Sequence, residues 1–313
     1  MKPITTERLS IRLAESPDAE AIYLYRSNFL ENKYQGWFPE SVDEVRDHIN
    51  DMPQTLDVAC TWFQFAIIHT DENRLIGDIG VNISASDKRQ AEIGCTLHFD
   101  YQGKGYAAEG LGAMINYLFL TLEKHRIIAS IDPRNTASIR MVERLGFRKE
   151  AHFRESLFLH GEWVDDAIYA ILNREWFDNK KQEKYNQAKN IALRFNECIN
   201  NADINGLSGL MAEDHLFIDT AGNLIKGRAN CTVQAWKSFF ELYPGYQNIF
   251  ENVIIRGSTI IMQGHSVCSD EILNNVRAIW VAKVIDNKVA LWHIYLDNEE
   301  NRRMLLMSDL TVD

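Results

Sequence analysis

The stretch Gln102-Gly103-Lys104-Gly105-Tyr106-Ala107 has the residue types to hold an anion with its backbone. Glycines at 103 and 105 let the chain approach a ligand without a Cβ in the way, and they admit positive φ. If a helix follows directly, its free N–H groups and the positive end of its dipole converge on the turn, which suits a pyrophosphate. Such a turn alone is weak evidence, since many glycine-rich loops are only tight turns. Further polar residues stand nearby in the sequence: Glu92 before the turn, and Asn135 and Ser138 in Asp132-Pro133-Arg134-Asn135-Thr136-Ala137-Ser138 after it.

The elements that must position these residues are legible. Alternation over 92–99 predicts a strand, 107–122 a helix and 127–131 a second strand. A further helix opens at Asn135 and ends at Leu145-Gly146-Phe147. The order Q-x-x-G-x-A, N-x-x-S, L-G-F at these distances resembles the GCN5-related N-acetyltransferases. The resemblance covers roughly 1–173, from Thr6-Glu7-Arg8-Leu9 with Arg12 to Gly161-Glu162-Trp163-Val164-Asp165, and is strongest to the branch containing ribosomal-protein N-terminal acetyltransferases of the RimJ and RimL type.

That resemblance implies an α/β acetyltransferase fold with a mixed, splayed central sheet, and acetyl-CoA as acetyl donor. It places the donor's pyrophosphate on Gln102, Gly103, Lys104, Gly105, Tyr106 and Ala107, and its pantetheine arm along backbone around Cys95 to Leu97, where Gly94 eases the distortion. Asn135 then either contacts the donor or caps its helix. Glu92 is either the base that takes the ammonium proton or a strand-edge carboxylate paired with a basic side chain. Many superfamily members carry a tyrosine seven residues after the Asn as general acid. Here Val142 stands there, leaving Ser138 as the candidate proton donor, against a plain first-turn role. A CoA thiolate can also leave unaided, its thiol pKa being about 8.5 like that of cysteine. His98, Glu155 and Asp165 are expected to make structural hydrogen bonds.

Acceptor recognition is expected before Thr61, from Tyr23, Tyr25, Asn28, Phe29, Tyr34, Trp37 and Phe38 interleaved with Glu31, Glu40, Asp43 and Glu44; the aromatics read equally as core residues facing the sheet, Tyr23 and Phe29 above all. The acceptor is a primary amine, on a peptide or a small molecule. With 44 acidic against 33 basic side chains in 313 residues, the net charge of −11 has the wrong sign for holding nucleic acid. No apolar run has spanning length, and the start lacks a signal-peptide core, so a cytoplasmic protein without membrane contact is expected. Five cysteines with no C-x-x-C pair argue against a disulfide framework and against a metal site.

Two domains are expected, 1–175 and 176–313, joined by a charged, glycine-free stretch 173–189 that reads as a helical connector. The second half predicts helices at 186–200, 206–211 and 230–243, and strands near 216–219, 224–227, 250–256, 259–269, 276–285 and 289–296. Local pieces such as Met211-Ala212-Glu213-Asp214-His215 and Trp292-His293-Ile294-Tyr295 resemble the SnoaL-like group of the nuclear transport factor 2-like superfamily. That implies an α+β cone-shaped, cystatin-like curved-sheet domain with an apolar interior. His215, Asp219, Trp236, Trp280, His293 and Tyr295 are the candidate pocket residues, with His293 and Tyr295 on one strand face and Trp292 and Ile294 on the other. Core packing, ligand binding and a second catalytic centre stay open, and a homodimer through this half is compatible with each.

Overall fold

Runs of β-branched and aromatic residues such as Thr61–His69 and Arg74–Ile83 form the strands of the first sheet, where side chains alternate between two covered faces. The computed structural model describes residues 2–53 and 55–307. It divides into two compact units, Met1–Asn179 and Lys180–Asp313.

In the first unit the strands are β1 (Ile4–Thr5), β2 (Leu9–Leu13), β3 (Thr61–His69), β4 (Arg74–Ile83), β5 (Gln90–Leu97), β6 (Arg126–Ile131), β7 (Arg148–Leu159) and β8 (Glu162–Leu172). They make one sheet in the order β1-β2-β3-β4-β5-β6-β8-β7, antiparallel except for the β5/β6 pair. Helices α1 (Ala19–Arg26), α2 (Phe29–Asn32) and α3 (Val42–Asp51) lie between β2 and β3 in sequence; α4 (Tyr106–Leu120) and α5 (Thr136–Arg144) flank β6. Apolar residues of α4, among them Leu111, Met114, Ile115 and Leu118, pack on Ile79, Val81 and Ile93 of the sheet. The charged stretch expected to be a helical connector belongs to α6 (Asn173–Asn200), within which the division between units falls.

The second unit has its own core. After α7 (Ile204–Leu210) come β9 (Met211–Ile218), β10 (Leu224–Lys226), β11 (Gln247–Arg256), β12 (Thr259–Val267), β13 (Arg277–Ile285) and β14 (Lys288–Leu296), in the order β10-β9-β14-β13-β12-β11. The helix expected over 230–243 is α-helical at α8 (Arg228–Asn230) and α9 (Ser238–Leu242), with a π-helical stretch Cys231–Lys237 between them. A short α10 (Glu299–Met304) follows the last strand. Phe195 of α6 meets Trp292 at 4.8 Å and Trp236 at 6.1 Å between ring centroids, and Trp280 joins the same cluster.

This arrangement corrects the reading of the second-half pocket. Alternation shows which residues share a face but not which face is inward. Trp292, fully buried, takes the inner one, so His293 and Tyr295 stack at 3.8 Å on the opposite side of the sheet. Asp219 is a turn residue, accepting N–H bonds from Ala221 and Asn223 at 2.9 Å. The six candidates therefore do not share one wall. His215, Trp236 and Trp280 are inside; His215 Nδ1 donates to the Val289 carbonyl at 2.6 Å. Its Nε2 and the indole nitrogens of Trp236, Trp280 and Trp292 have no partner among the described residues.

Candidate active site

β5 and β6 pair only at Gln90–Arg126, Ala91–Ile127 and Glu92–Ile128, yet β5 continues to Leu97 and β6 to Ile131. Past Glu92 the two strands diverge. β5 stays bonded to β4 from Ala91 to Leu97, so past Glu92 its edge facing β6 has no strand partner from Ile93 onward.

The gap runs into the glycine-rich turn. Gly103 has φ 73° and Gly105 φ 87°, left-handed values that glycine adopts without strain, and Gly105 is the N-cap of α4. A Cβ built on Gly103 would meet nothing within 4 Å, so the turn faces open space. No side chain caps α4, which leaves its first-turn N–H groups available to an anion. The turn is clasped from behind. Arg8 donates to the Lys104 carbonyl at 3.2 Å and to Glu109 at 2.7 Å, and its guanidinium sits 4.4 Å from the Tyr106 ring centroid. Gln102 donates to the Leu97 carbonyl at 3.1 Å, fixing the turn to the end of β5.

A cleft of about 520 Å³ is lined by Cys95, Leu97, all six residues from Gln102 to Ala107, Asn135 and Ser138, so the structure brings the expected donor-side residues together. The Asn135 side chain accepts from the Ser138 N–H at 3.1 Å, which makes it the cap of α5. Val142 is 4% exposed in the core, where the superfamily's tyrosine position would stand. Burial, reinforced by Asp78, pushes the Cys95 thiol up, away from the thiolate form.

On the opposite side of the sheet a cavity of about 570 Å³ contains Glu92, Gly80, Gly94, Trp37, Trp62, Arg26 and His48. Burial, with Asp166 adding its negative charge, raises the Glu92 carboxyl above its ordinary value, while a hydrogen bond from Asn82 opposes this. Glu92 has no basic partner among the described residues, so the paired strand-edge alternative is not what forms. Beneath it Asp78, fully buried, accepts from Tyr25 Oη at 2.5 Å, from Arg26 Nε at 2.8 Å and Nη2 at 2.5 Å, and from Gln64. Tyr25 is thus a structural group, and Tyr23, on α1 itself, packs half-buried against the small core that α1 shares with α3. Phe29 and Phe38 gather on His160, with centroids 5.2 and 4.8 Å away.

Tyr34 and Gln35 line the donor cleft, this cavity and a smaller void of about 80 Å³ between them. Gln35 and Trp62 were not singled out from sequence. A lone glutamine in a loop and an aromatic at a strand start carry no periodic signal. His98 is buried and accepts from the Asp100 N–H at 3.3 Å; Asp165 accepts from the Glu155 N–H at 2.9 Å and meets His152 Nε2 at 2.7 Å. Glu155 enters this set through its backbone N–H. Among the described residues no His, Cys, Asp and Glu group could hold a metal, and no helix is long and apolar enough to cross a membrane.

Residues 8–148 match the Acetyltransferase (GNAT) domain. The chain is 36% identical over 175 residues to the uncharacterized N-acetyltransferase YnaD of Bacillus subtilis, covering 55% of this chain and 98% of that protein. It is 29% identical over 184 residues to the [ribosomal protein uS5]-alanine N-acetyltransferase of Escherichia coli, covering 55% and 92%. A crystal structure of a GNAT-family acetyltransferase from Bacillus anthracis is 34% identical, covers 55% of this chain and 99% of its own, and superposes with a TM-score of 0.49.

Proposed function

The chain belongs to the GNAT family of N-acetyltransferases, and from that premise we propose that its first unit moves an acetyl group from acetyl-CoA to a primary amine. The observation that carries this reading is the divergence of β5 from β6 next to the uncapped amino end of α4. Gln102 to Ala107 would cradle the donor's pyrophosphate, and the free edge of β5 near Cys95 and Leu97 would bond its pantetheine, with an N–H there polarising the thioester carbonyl. Glu92, its carboxyl raised by burial, takes the ammonium proton directly or through water, so that the neutral amine can form the new C–N bond. As the C–S bond breaks, Ser138 relays to the departing thiolate the proton that the new amide nitrogen sheds, which restores the hydroxyl, and Asn135 holds the start of α5 against the donor.

The second unit, in the proposed domain 176–313, is a SnoaL-like ligand-binding or dimerisation module. The unpartnered polar atoms of His215, Trp236, Trp280 and Trp292 on its apolar inner side support a polar guest there. A sensor that binds CoA without turnover is the second reading, favoured by Val142 in the acid position. The test is CoA release from acetyl-CoA with a panel of primary amines at pH 8. Amine-dependent release is expected; binding of acetyl-CoA with no release for any amine would leave the sensor.

A further inference from the structure

The floor of the acceptor cavity is bare backbone. Gly80 of β4 lies directly opposite Gly94 of β5, and a Cβ on Gly94 would meet nothing within 4 Å. Trp62, two residues along the neighbouring strand from Gln64, which pairs with Gly80, lays its ring over that glycine. A Cβ on Gly80 would stand 3.2 Å from two of the ring atoms. Trp37 forms part of the same lining and is held in place by the Arg26 guanidinium at 4.8 Å and the His48 ring at 4.7 Å. The open face of Gly94 beside an indole laid on Gly80 makes a flat surface, suited to stacking rather than to hydrogen bonding.

The charges of the cavity are almost all spent. Arg26 is paired with Asp78, Asp132 with Arg134 at 2.7 Å, and Asp165 with the Glu155 N–H and His152. Glu92 is left as the one lining carboxylate, among the described residues, bonded to neither a base nor a backbone N–H. A polyamine brings two or more ammonium groups, and each needs an unspent acceptor. A peptide amino terminus brings backbone polar groups, which a bare indole-walled floor does not answer.

Resting on the transferase reading above, we propose that the acceptor is a monoamine with a flat apolar body, which lies on Gly94 against the Trp62 ring that covers Gly80, and sets its single ammonium at Glu92. Trp62 is then a specificity-determining residue that acts through the body of the acceptor rather than through the proton transfer.

Phenethylamine, spermidine and an alanine-initiated tripeptide, each titrated calorimetrically into the full chain with CoA present and assayed for CoA release from acetyl-CoA, test this. Phenethylamine should bind at least about tenfold more tightly than either rival. Trp62→Ala should raise its KM about tenfold with kcat held within about twofold, and Trp62→Phe should restore most of the affinity. Equal or tighter binding of spermidine or the tripeptide, no binding of any amine, or an unchanged KM in Trp62→Ala overturns the proposal. Phenethylamine binding without CoA release upholds the acceptor class and removes the transferase reading.

Discussion

Arg26 and Asp78 meet through two hydrogen bonds, at 2.5 and 2.8 Å, in a site where the carboxylate has no solvent exposure at all. Tyr25 and Gln64 complete the ring of donors around it. A buried pair of this kind stabilises little by existing but is costly to break, because the surviving charge stays desolvated. Asp78→Ala should therefore lower unfolding stability by about 3–5 kcal/mol in a urea titration. A loss below about 1 kcal/mol would mean that water reaches Arg26.

The glycine-rich turn gives a second expectation. Gly105 sits at φ 87°, and a valine there must adopt a conformation that costs a side chain about 1–2 kcal/mol, with its Cβ 3.4 Å from the Arg8 guanidinium that clasps the turn. Gly105→Val should abolish acetyl-CoA binding by calorimetry. Unaltered affinity would remove the pyrophosphate from this turn.

For Glu92 the sign can be worked out. Its folded-state pKa lies above the unfolded value, so the folded chain holds the proton more tightly. That proton-linked stabilisation is full below the unfolded carboxyl's range and is lost as pH rises through the raised folded value. Glu92→Gln should thus leave stability unchanged at acid pH and raise the melting temperature near pH 8. Activity should move the other way, falling by about 10²-fold or more, most at pH values where the amine is protonated. A variant as active as the parent across the pH range would make Glu92 structural.

Ser138→Ala isolates the leaving-group proton. Because a thiolate is a good leaving group, the loss in kcat should be modest, about tenfold, with acetyl-CoA affinity kept. An unchanged kcat in single-turnover measurements would show that the thiolate departs without help from this hydroxyl.

Residues 180–313 should fold alone. Their tryptophan-rich core draws on Ile191, Phe195 and Ile199 from the same segment. The fragment should melt cooperatively and ignore a chelator, since no metal-ligand cluster exists among the described residues. A fragment without a cooperative transition would mean that the core needs residues ahead of 180.

Much of the donor side was legible because it is local. The turn, the Asn135 cap and the strand ends each declare themselves within a few residues of sequence. The acceptor side is not local. Asp78 finds Arg26 across 52 positions, and Gly80 faces Gly94 only through the register of two strands. The two glycines of Gly77-Asp78-Ile79-Gly80 were the available signal, since glycine inside a strand marks a place something else approaches closely. In the second unit the alternation of Trp292 and His293 was visible. What decides which of them faces inward is the bulk apolar side chain's larger gain on burial, set by Phe195 a hundred residues earlier.

Arg8 reaches from just ahead of β2 to grip both Lys104 and Glu109, so residues near 8 and the glycine-rich turn are mechanically one piece. Ends of chains are usually where purification handles go and where trimming is tried first. Here a handle ahead of Pro3 that disturbs the Thr6 and Arg8 bonds to Glu109, or a version shortened past Arg8, would lose donor affinity while every residue of the turn stayed intact. Weak acetyl-CoA binding in such a version would report on the handle, and handles at the opposite terminus are the sound choice for measuring this site.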